Sequence, residues 1–254
     1  MNVVILAGGY GTRLSEYTDI IPKPMVTIGG KPIIFHIMNH YAKFGYKNFI
    51  IALGYKSEVI KDYFLNLHAL SSDFSVDLSN GEVEYKSQSG IYDWRVSLVN
   101  TGEASLTGTR LLKLKDHLSE PFMLTYGDGL SNVNINQLVH FHKAKNKLIT
   151  LTAVRPSARF GELTINSNGD LKGFIEKPQL HQGWINGGFF VCEPEFLNLI
   201  PDDDDVMLER EPIIQAVKED KISAFMHDGF WQCMDTKRDR DYLEDLYING
   251  APWA

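Results

Sequence analysis

The stretch Leu6-Ala7-Gly8-Gly9-Tyr10-Gly11-Thr12-Arg13-Leu14 sets three glycines and a guanidinium directly behind an apolar run. Glycines in that position let backbone N–H groups approach an anion with no Cβ in the way, which is the makings of a phosphate cradle. Arg13, and Lys23 within Pro22-Lys23-Pro24, add two cations near the same loop, as a triphosphate requires. An ordinary glycine turn and a solvated loop lysine would show the same spacing. The stretch is not the G-x-G-x-x-G dinucleotide fingerprint, and no Gly-Lys-Ser/Thr follows to make it a Walker loop.

Asp128 sits between Gly127 and Gly129, just past the apolar run Phe122-Met123-Leu124-Thr125-Tyr126. An exposed acid at the carboxyl end of a strand can hold magnesium that also touches phosphate oxygens; a β-turn aspartate has the same surroundings. A lone carboxylate rarely makes a site. Asp235, in Trp231-Gln232-Cys233-Met234-Asp235-Thr236, is either its partner or the N-cap of a terminal helix. The third feature is Glu176-Lys177-Pro178 with Trp184-Ile185-Asn186-Gly187-Gly188 behind it: a lysine for a phosphate, then an amide and glycines that could line a sugar pocket, or else a strand end followed by a bulge. His36 and His40 share a helix face without the glutamate of a metalloprotease, and read as surface or half-buried polar groups. His140 and His142 point to different helix faces, and Asp202 to Asp205 read as a solvated helix start. Cys192 and Cys233 form no C-x-x-C pair and read as buried free thiols.

The elements that would position these groups alternate. Residues 2–7 read as a strand buried on both faces, and such a strand needs crossover helices. Ile34, Ile37, Met38, Tyr41 and Phe44 fall at helical spacing behind Pro32, with Gly45 as the cap. Strand 48–53 and a helix from Ser57 follow. Between about 68 and 100 the alternation stops, and Asn80-Gly81 suits the positive φ angles of a tight hairpin. A helix near 105–117, strand 121–126, helix 135–146 and strand 148–154 resume the pattern. A second hairpin is expected around Asn168-Gly169-Asp170, then strand 188–192, helix 206–219, strand 222–226 and a terminal helix after Thr236. The expectation is one α/β domain over 1–254, its sheet mixed but mostly parallel, flanked by helices and carrying antiparallel hairpin insertions.

Composition supports a folded chain: 254 residues, 44% hydrophobic and 22% charged, with no low-complexity segment. Against 32 Asp and Glu stand 25 Lys and Arg, a formal charge of -7 that argues against nucleic acid or anionic lipid as a whole-surface partner. No basic leader and no membrane-length apolar run is seen, so the expected location is cytoplasmic.

Together, Gly8-Gly9-Tyr10-Gly11-Thr12-Arg13-Leu14 and Pro22-Lys23-Pro24 resemble the G-G-x-G-T-R-L and P-K-P signatures of the sugar-1-phosphate nucleotidyltransferases. Gly29-Gly30-Lys31-Pro32-Ile33, Thr125 to Gly129, Arg159-Phe160-Gly161, Ile185 to Phe190 and Gly229 to Gln232 are similar to the branch acting on CTP and glucose 1-phosphate. The resemblance implies a Rossmann-like nucleotidyltransferase fold. It also implies the reaction of CTP with α-D-glucose 1-phosphate to give CDP-glucose and pyrophosphate, for dideoxysugars of surface polysaccharide. By the same carry-over Leu6, Ala7, Gly8, Gly9 and Gly11 cradle the nucleotide, and Thr12, Arg13 and Lys23 meet its phosphates. Gly108 and Arg110 belong to a nucleotide-side segment, Asp128 and Asp235 hold Mg2+, and Glu176, Lys177 and Asn186 face the sugar phosphate. A homo-oligomer is implied. The chain departs from the family at Thr109, where glycine is usual, at Cys233, where proline is usual, and over Gln179 to Gln182. The same chemistry on another sugar 1-phosphate is an alternative; a glycosyltransferase, the other alternative, would release no pyrophosphate.

Overall fold

The computed structural model describes residues 1–86, 92–156, 162–165, 167–175 and 183–254. Ten strands and six helices matter to the site. The strands are β1 (Val3–Leu6), β2 (Asn48–Leu53), β3 (Arg95–Asn100), β4 (Phe122–Tyr126), β5 (Gly129–Ser131), β6 (Ile149–Val154), β7 (Ile185–Asn186), β8 (Phe190–Cys192), β9 (Ile222–His227) and β10 (Trp231–Cys233). The helices are α1 (Ile33–Lys43), α2 (Ser57–Leu70), α3 (Thr107–Leu112), α4 (Ile135–Lys145), α5 (Glu211–Lys218) and α6 (Lys237–Ile248).

β1 pairs in parallel with β2 on one side and with β4 on the other, and β3 continues in parallel beyond β2. β8 runs antiparallel between β4 and β6, and β9 closes the far edge in parallel with β6. The sheet is therefore mixed and mostly parallel, as expected. Its centre is β1, whose four residues are all buried, because helices cover both faces and leave no polar side to present. One core under the sheet joins Ile5, Ile51 and Met123 to Ile34, Met38 and Tyr41 of α1; the other joins Val4, Leu124 and Phe190 to Leu111 and Phe196.

The hairpins form where expected, Phe74–Val76 with Val83–Tyr85 and Glu162–Ile165 with Leu171–Ile175. The first is not a two-residue turn. Gly81 takes a positive φ, but the amide of Gly81 reaches the carbonyl of Asp77, so the loop spans 77–82. Two helices are shorter than their patterns suggest: α3 gives way to a 3-10 turn at Lys115–His117, and the expected 206–219 helix begins only at Glu211. Residues 206–210 are instead held as a loop and turn by Thr107 and Thr109, whose hydroxyls accept from the amides of Leu208 and Val206, while the Arg210 amide donates to the Met207 carbonyl. The exposed Asp202 to Asp205 therefore precede a loop rather than a helix start.

Both histidines of α1 are buried, not surface groups. His36 Nε2 lies 2.8 Å from the carbonyl of Ile28 and His40 Nε2 2.9 Å from that of Val133, so backbone acceptors draw them inward. Trp253 seals this corner, its indole N–H donating to His36 Nδ1. His142 is also buried, between Thr150 and Glu193. Of the two free thiols Cys192 is buried and Cys233 only partly so.

Burial lowers the His40 pKa to about 4 from an ordinary 6.5. The unfolded chain then binds a proton that the folded chain refuses, so stability is complete above about pH 6.5 and falls as pH drops toward 4, by about 3 kcal/mol in all. Thermal melts across that window should show the midpoint falling with pH. The His40→Gln protein, whose amide can still donate to Val133, should show a flatter acid limb; an unchanged slope would assign the acid sensitivity elsewhere.

Candidate active site

In the sheet order β3-β2-β1-β4 the winding reverses between β1 and β4, and a crevice opens there at the carboxyl ends of the strands. β1 delivers the glycine loop to that crevice and β4 delivers Gly127-Asp128. A cavity of about 340 Å³ lies between them, lined by Leu6, Gly8, Gly9, Gly11, Thr12, Arg13, Lys23, Tyr126, Asp128 and, from α3, Thr107 and Arg110. Ala7 is buried in the core below it, and Gly108 is buried where a Cβ would meet Val206 at 2.9 Å.

Arg110 shapes the loop from beneath. The side chain is buried, and its guanidinium donates to the carbonyls of Gly8, Leu53, Gly102 and Glu103 and to the Thr101 hydroxyl, at 2.6 to 3.1 Å. Among the described residues no carboxylate pairs with it. Gly8 must be glycine, since a Cβ there would lie 2.3 Å from the guanidinium. The Gly8 carbonyl also accepts from the Tyr55 amide, and because the Gly8–Gly9 peptide is trans, the Gly9 N–H points the opposite way, out of the core. Gly11 has φ +64, and a Cβ would crowd Thr18 at 2.8 Å and Lys23 at 3.2 Å.

Lys23 stands on a 3-10 turn flanked by Pro22 and Pro24, which fixes the backbone and leaves the side chain to reach inward. Its Nζ donates to Asp128 Oδ2 at 2.6 Å and to Asp235 Oδ1 at 2.7 Å, while Arg13 donates to Asp235 Oδ2 at 2.9 Å. Burial works against the Lys23 ammonium, yet the charge and hydrogen bond of Asp128, with those of Asp235, outweigh it and hold its pKa above the ordinary lysine value. Burial likewise opposes the Asp235 carboxylate, but Lys23 and then Arg13 keep its pKa below the ordinary value. The neighbouring Cys233 thiol is pushed up to about 12 by burial and by the two aspartates, so it stays protonated and inert.

The two aspartates, 107 positions apart, are brought together by a ladder that the residue pattern does not announce. β5 and β10 pair antiparallel with Gly129 opposite Cys233, and the Met234 amide donates to the Asp128 carbonyl. Asp235 is not the cap of α6: Thr236 caps it, in a capping box with Asp239, which frees Asp235 for the crevice. Among the described residues no three His, Cys, Asp or Glu side chains cluster as a metal cage. Two carboxylates at a phosphate loop nevertheless suit magnesium, which keeps waters and takes its remaining ligands from phosphate oxygens.

Beside the cavity-lining Tyr126 and Thr107, Asn186 donates to the Tyr126 hydroxyl at 3.2 Å, that hydroxyl donates to Glu209 at 2.6 Å, and the Thr107 hydroxyl donates to the other oxygen of Glu209 at 2.8 Å. Burial, then Glu209, raises the Tyr126 pKa far above the usual phenol range. Tyr126 falls in the Thr125 to Gly129 stretch without a role assigned to it there, and Glu209 sits in no local motif; the two meet because the 206–210 loop folds against α3. Thr109 is accounted for by the same segment, its hydroxyl donating to the Asp203 carbonyl. Glu176, Lys177, Arg159 to Gly161 and Gln179 to Gln182 lie outside the described residues.

The model of the nucleotidyl transferase family matches residues 2–244. The chain is 47% identical over 256 residues to a glucose-1-phosphate cytidylyltransferase of Salmonella typhimurium, covering all of this chain and 98% of that one. It is 30% identical to the mannose-1-phosphate guanylyltransferase catalytic subunit beta of Drosophila melanogaster, over 96% of this chain and 62% of the relative. Among solved structures HddC from Yersinia pseudotuberculosis superposes with a TM-score of 0.69 at 21% identity, covering 97% and 99% of the two chains, which shows the shared fold.

The Arg110 geometry yields a prediction. Lysine keeps the charge but offers one donor group in place of the planar fork, so Arg110→Lys should leave several carbonyls unpaired and cost about 2–4 kcal/mol. A thermal midpoint lower by roughly 5–10 °C is expected; an unshifted midpoint would show that the fork does not hold the loop.

Proposed function

The chain belongs to the nucleotidyl transferase family, and from that premise we propose that it transfers the cytidylyl group of CTP to glucose 1-phosphate, releasing pyrophosphate and CDP-glucose. What carries the reaction class is the meeting of Lys23, Arg13, Asp128 and Asp235 beside a glycine loop at the switch point of the sheet. Full-length identity of 47% to a glucose-1-phosphate cytidylyltransferase supports the pair of substrates.

The sugar phosphate oxygen is already an anionic nucleophile, so no covalent intermediate is needed. The protein's task is to bring two repelling anions together, with attacking and leaving oxygens in line at the α-phosphorus. The Gly8–Gly11 backbone receives the nucleotide phosphates, and the charge of Arg110 behind it favours an anion at that place. Lys23 and Arg13 neutralise the departing pyrophosphate. Asp128 and Asp235 would hold Mg2+, which supplies further charge neutralisation to the phosphate oxygens. Asn186, oriented by Tyr126, serves the sugar phosphate side, and we assign Lys177 and Glu176 to the same side. We assign the product to dideoxysugar synthesis for surface polysaccharide. Self-association is supported by an apolar groove between α2 and β3, lined by Phe64, Leu67, Trp94, Val96 and Leu98 beside the exposed Leu65. Among the described residues no helix is long and apolar enough to cross a membrane.

Pyrophosphate release from CTP, UTP, dTTP and GTP, each against glucose, mannose and heptose 1-phosphates, tests the reading. CTP with glucose 1-phosphate should be best. Another sugar winning with CTP would move only the pocket assignment, and no release from any pair would sink the transfer reaction. Asp128→Asn and Asp235→Asn should fold and lose most turnover; near-normal turnover of either at limiting magnesium would remove that residue from the metal site.

The Asn186–Tyr126–Glu209 chain gives a separate expectation. Tyr126→Phe and Glu209→Gln should raise the KM for glucose 1-phosphate several-fold and leave CTP binding nearly unchanged, and in an Asn186→Ala background neither should add to the loss. Additive losses would mean that the pair does not act through Asn186.

A further inference from the structure

The cation-binding pocket made by Asp128 and Asp235 is filled from within the chain. Lys23 Nζ hydrogen-bonds one oxygen of each, at 2.6 and 2.7 Å, and its side chain is only 12% exposed. Arg13 takes the remaining oxygen of Asp235 from the solvent side, with 72% of its side chain exposed. Two cations and two carboxylates thus neutralise one another, although each is of a type suited to a ligand of the opposite sign. A divalent ion can reach both carboxylates only if the ammonium leaves, and an ammonium displaced within this mostly buried place has lost two charge-assisted hydrogen bonds. A triphosphate in the adjoining glycine loop offers that ammonium new anionic partners. The exchange needs no backbone movement: the proline-flanked turn stays put while four rotatable side-chain bonds re-aim Nζ.

We propose that Lys23 acts as the internal competitor of the metal ion, so that the site discriminates against free divalent cation and accepts it together with a triphosphate. Each ligand frees the groups that bind the other, which makes their binding positively linked through one side chain. The inference rests on the reading of Asp128 and Asp235 as metal ligands. It differs from a plain phosphate contact because it assigns Lys23 a role before any nucleotide is present. It also distinguishes Lys23 from Arg13, which has the same charge but touches one carboxylate only.

The test is Mn2+ binding without nucleotide, followed by the loss of the free-ion paramagnetic resonance signal, to the full-length wild-type, Lys23→Met and Arg13→Met proteins at one fixed ionic strength. Lys23→Met should bind Mn2+ at least roughly tenfold more tightly than wild type, a difference of about 1.4 kcal/mol. Arg13→Met should gain about threefold or less, because its exposed charge is screened and opposes the ion without occupying its place. Adding Asp128→Asn to Lys23→Met should abolish the gain. Lys23→Gln, which also lacks the ammonium, gives the same reading should the methionine variant melt abnormally. Equal gains in the Lys23 and Arg13 variants would reduce the effect to general charge and overturn the proposal, as would no gain in Lys23→Met or Lys23→Gln. Absence of Mn2+ binding to every one of these proteins would instead bring down the two-carboxylate site itself, and the competitor with it.

Discussion

The buried guanidinium of Arg110 is the constraint around which the crevice is built. Three neighbouring parallel strands end at the same edge, and strand twist would splay the loops that follow them. Arg110 gathers those loops by accepting none of their groups and donating to all of them: Gly8 after β1, Leu53 at the end of β2, and Thr101, Gly102 and Glu103 after β3. Two glycines follow from that placement, because a Cβ on Gly8 or Gly54 would lie within 2.4 Å of the guanidinium. A buried charge answered only by carbonyl dipoles and a hydroxyl is an expensive device. Its return is a positive field under a glycine loop, with no carboxylate paired to it among the described residues.

Above that rigid floor the charges are arranged differently. Lys23, Arg13, Asp128 and Asp235 close on one another, so each cation there has a carboxylate partner, where Arg110 has none among the described residues. The contrast follows from side-chain chemistry. A planar fork held by five bonds has a single orientation, whereas an ammonium on a flexible stem can trade one set of oxygens for another. On the proposed reading the fixed floor sets where phosphate would sit, and the paired charges above it bear on what accompanies the phosphate.

The parts of the site legible in the residue order are those made by contiguous chain: the glycine loop behind β1, the Pro22-Lys23-Pro24 step, and Asp128 at the end of β4. Each couples a periodic apolar run to the small residues that end it, so sequence spacing and spatial position coincide. Asp235 could be proposed but not decided, because its role turns on whether it or Thr236 caps α6, and on a three-residue ladder between β5 and β10 too short to leave a pattern. Arg110 belongs to a segment that the resemblance ties to the nucleotide, yet nothing local tells that its partners are backbone carbonyls from three other segments. Glu209 was hidden for a related reason. Residues 206–219 carry one helical pattern, but Thr107 and Thr109 from α3 capture the first five as a loop and turn, a tertiary override of local preference. The buried His36 and His40 likewise owe their place to carbonyls of Ile28 and Val133.

The backbone that presents Asn186 and the ladder that presents Asp235 are separately built but mechanically joined. β7 and β8 both pair with β6 and are parted by Gly187-Gly188-Phe189, where buried Phe189 holds φ +49, a conformation costly for an aromatic residue unless its surroundings impose it. The surroundings do so: the Phe189 carbonyl accepts from the Thr152 hydroxyl, the Gly187 carbonyl accepts from the indole of Trp231, and the Gly188 amide donates to the Asn186 side chain. Trp231 is in β10, the strand that leads to Asp235. One side chain thus ties the backbone that presents Asn186 to the ladder that presents Asp235, so the distance between the two halves of the crevice is held by the fold and need not be set anew by each substrate. Side chains on the Asn186 wall can then differ between relatives with different sugars while the charged groups at Asp128 and Asp235 keep their geometry, which is the physical condition for one chemistry to serve several substrates.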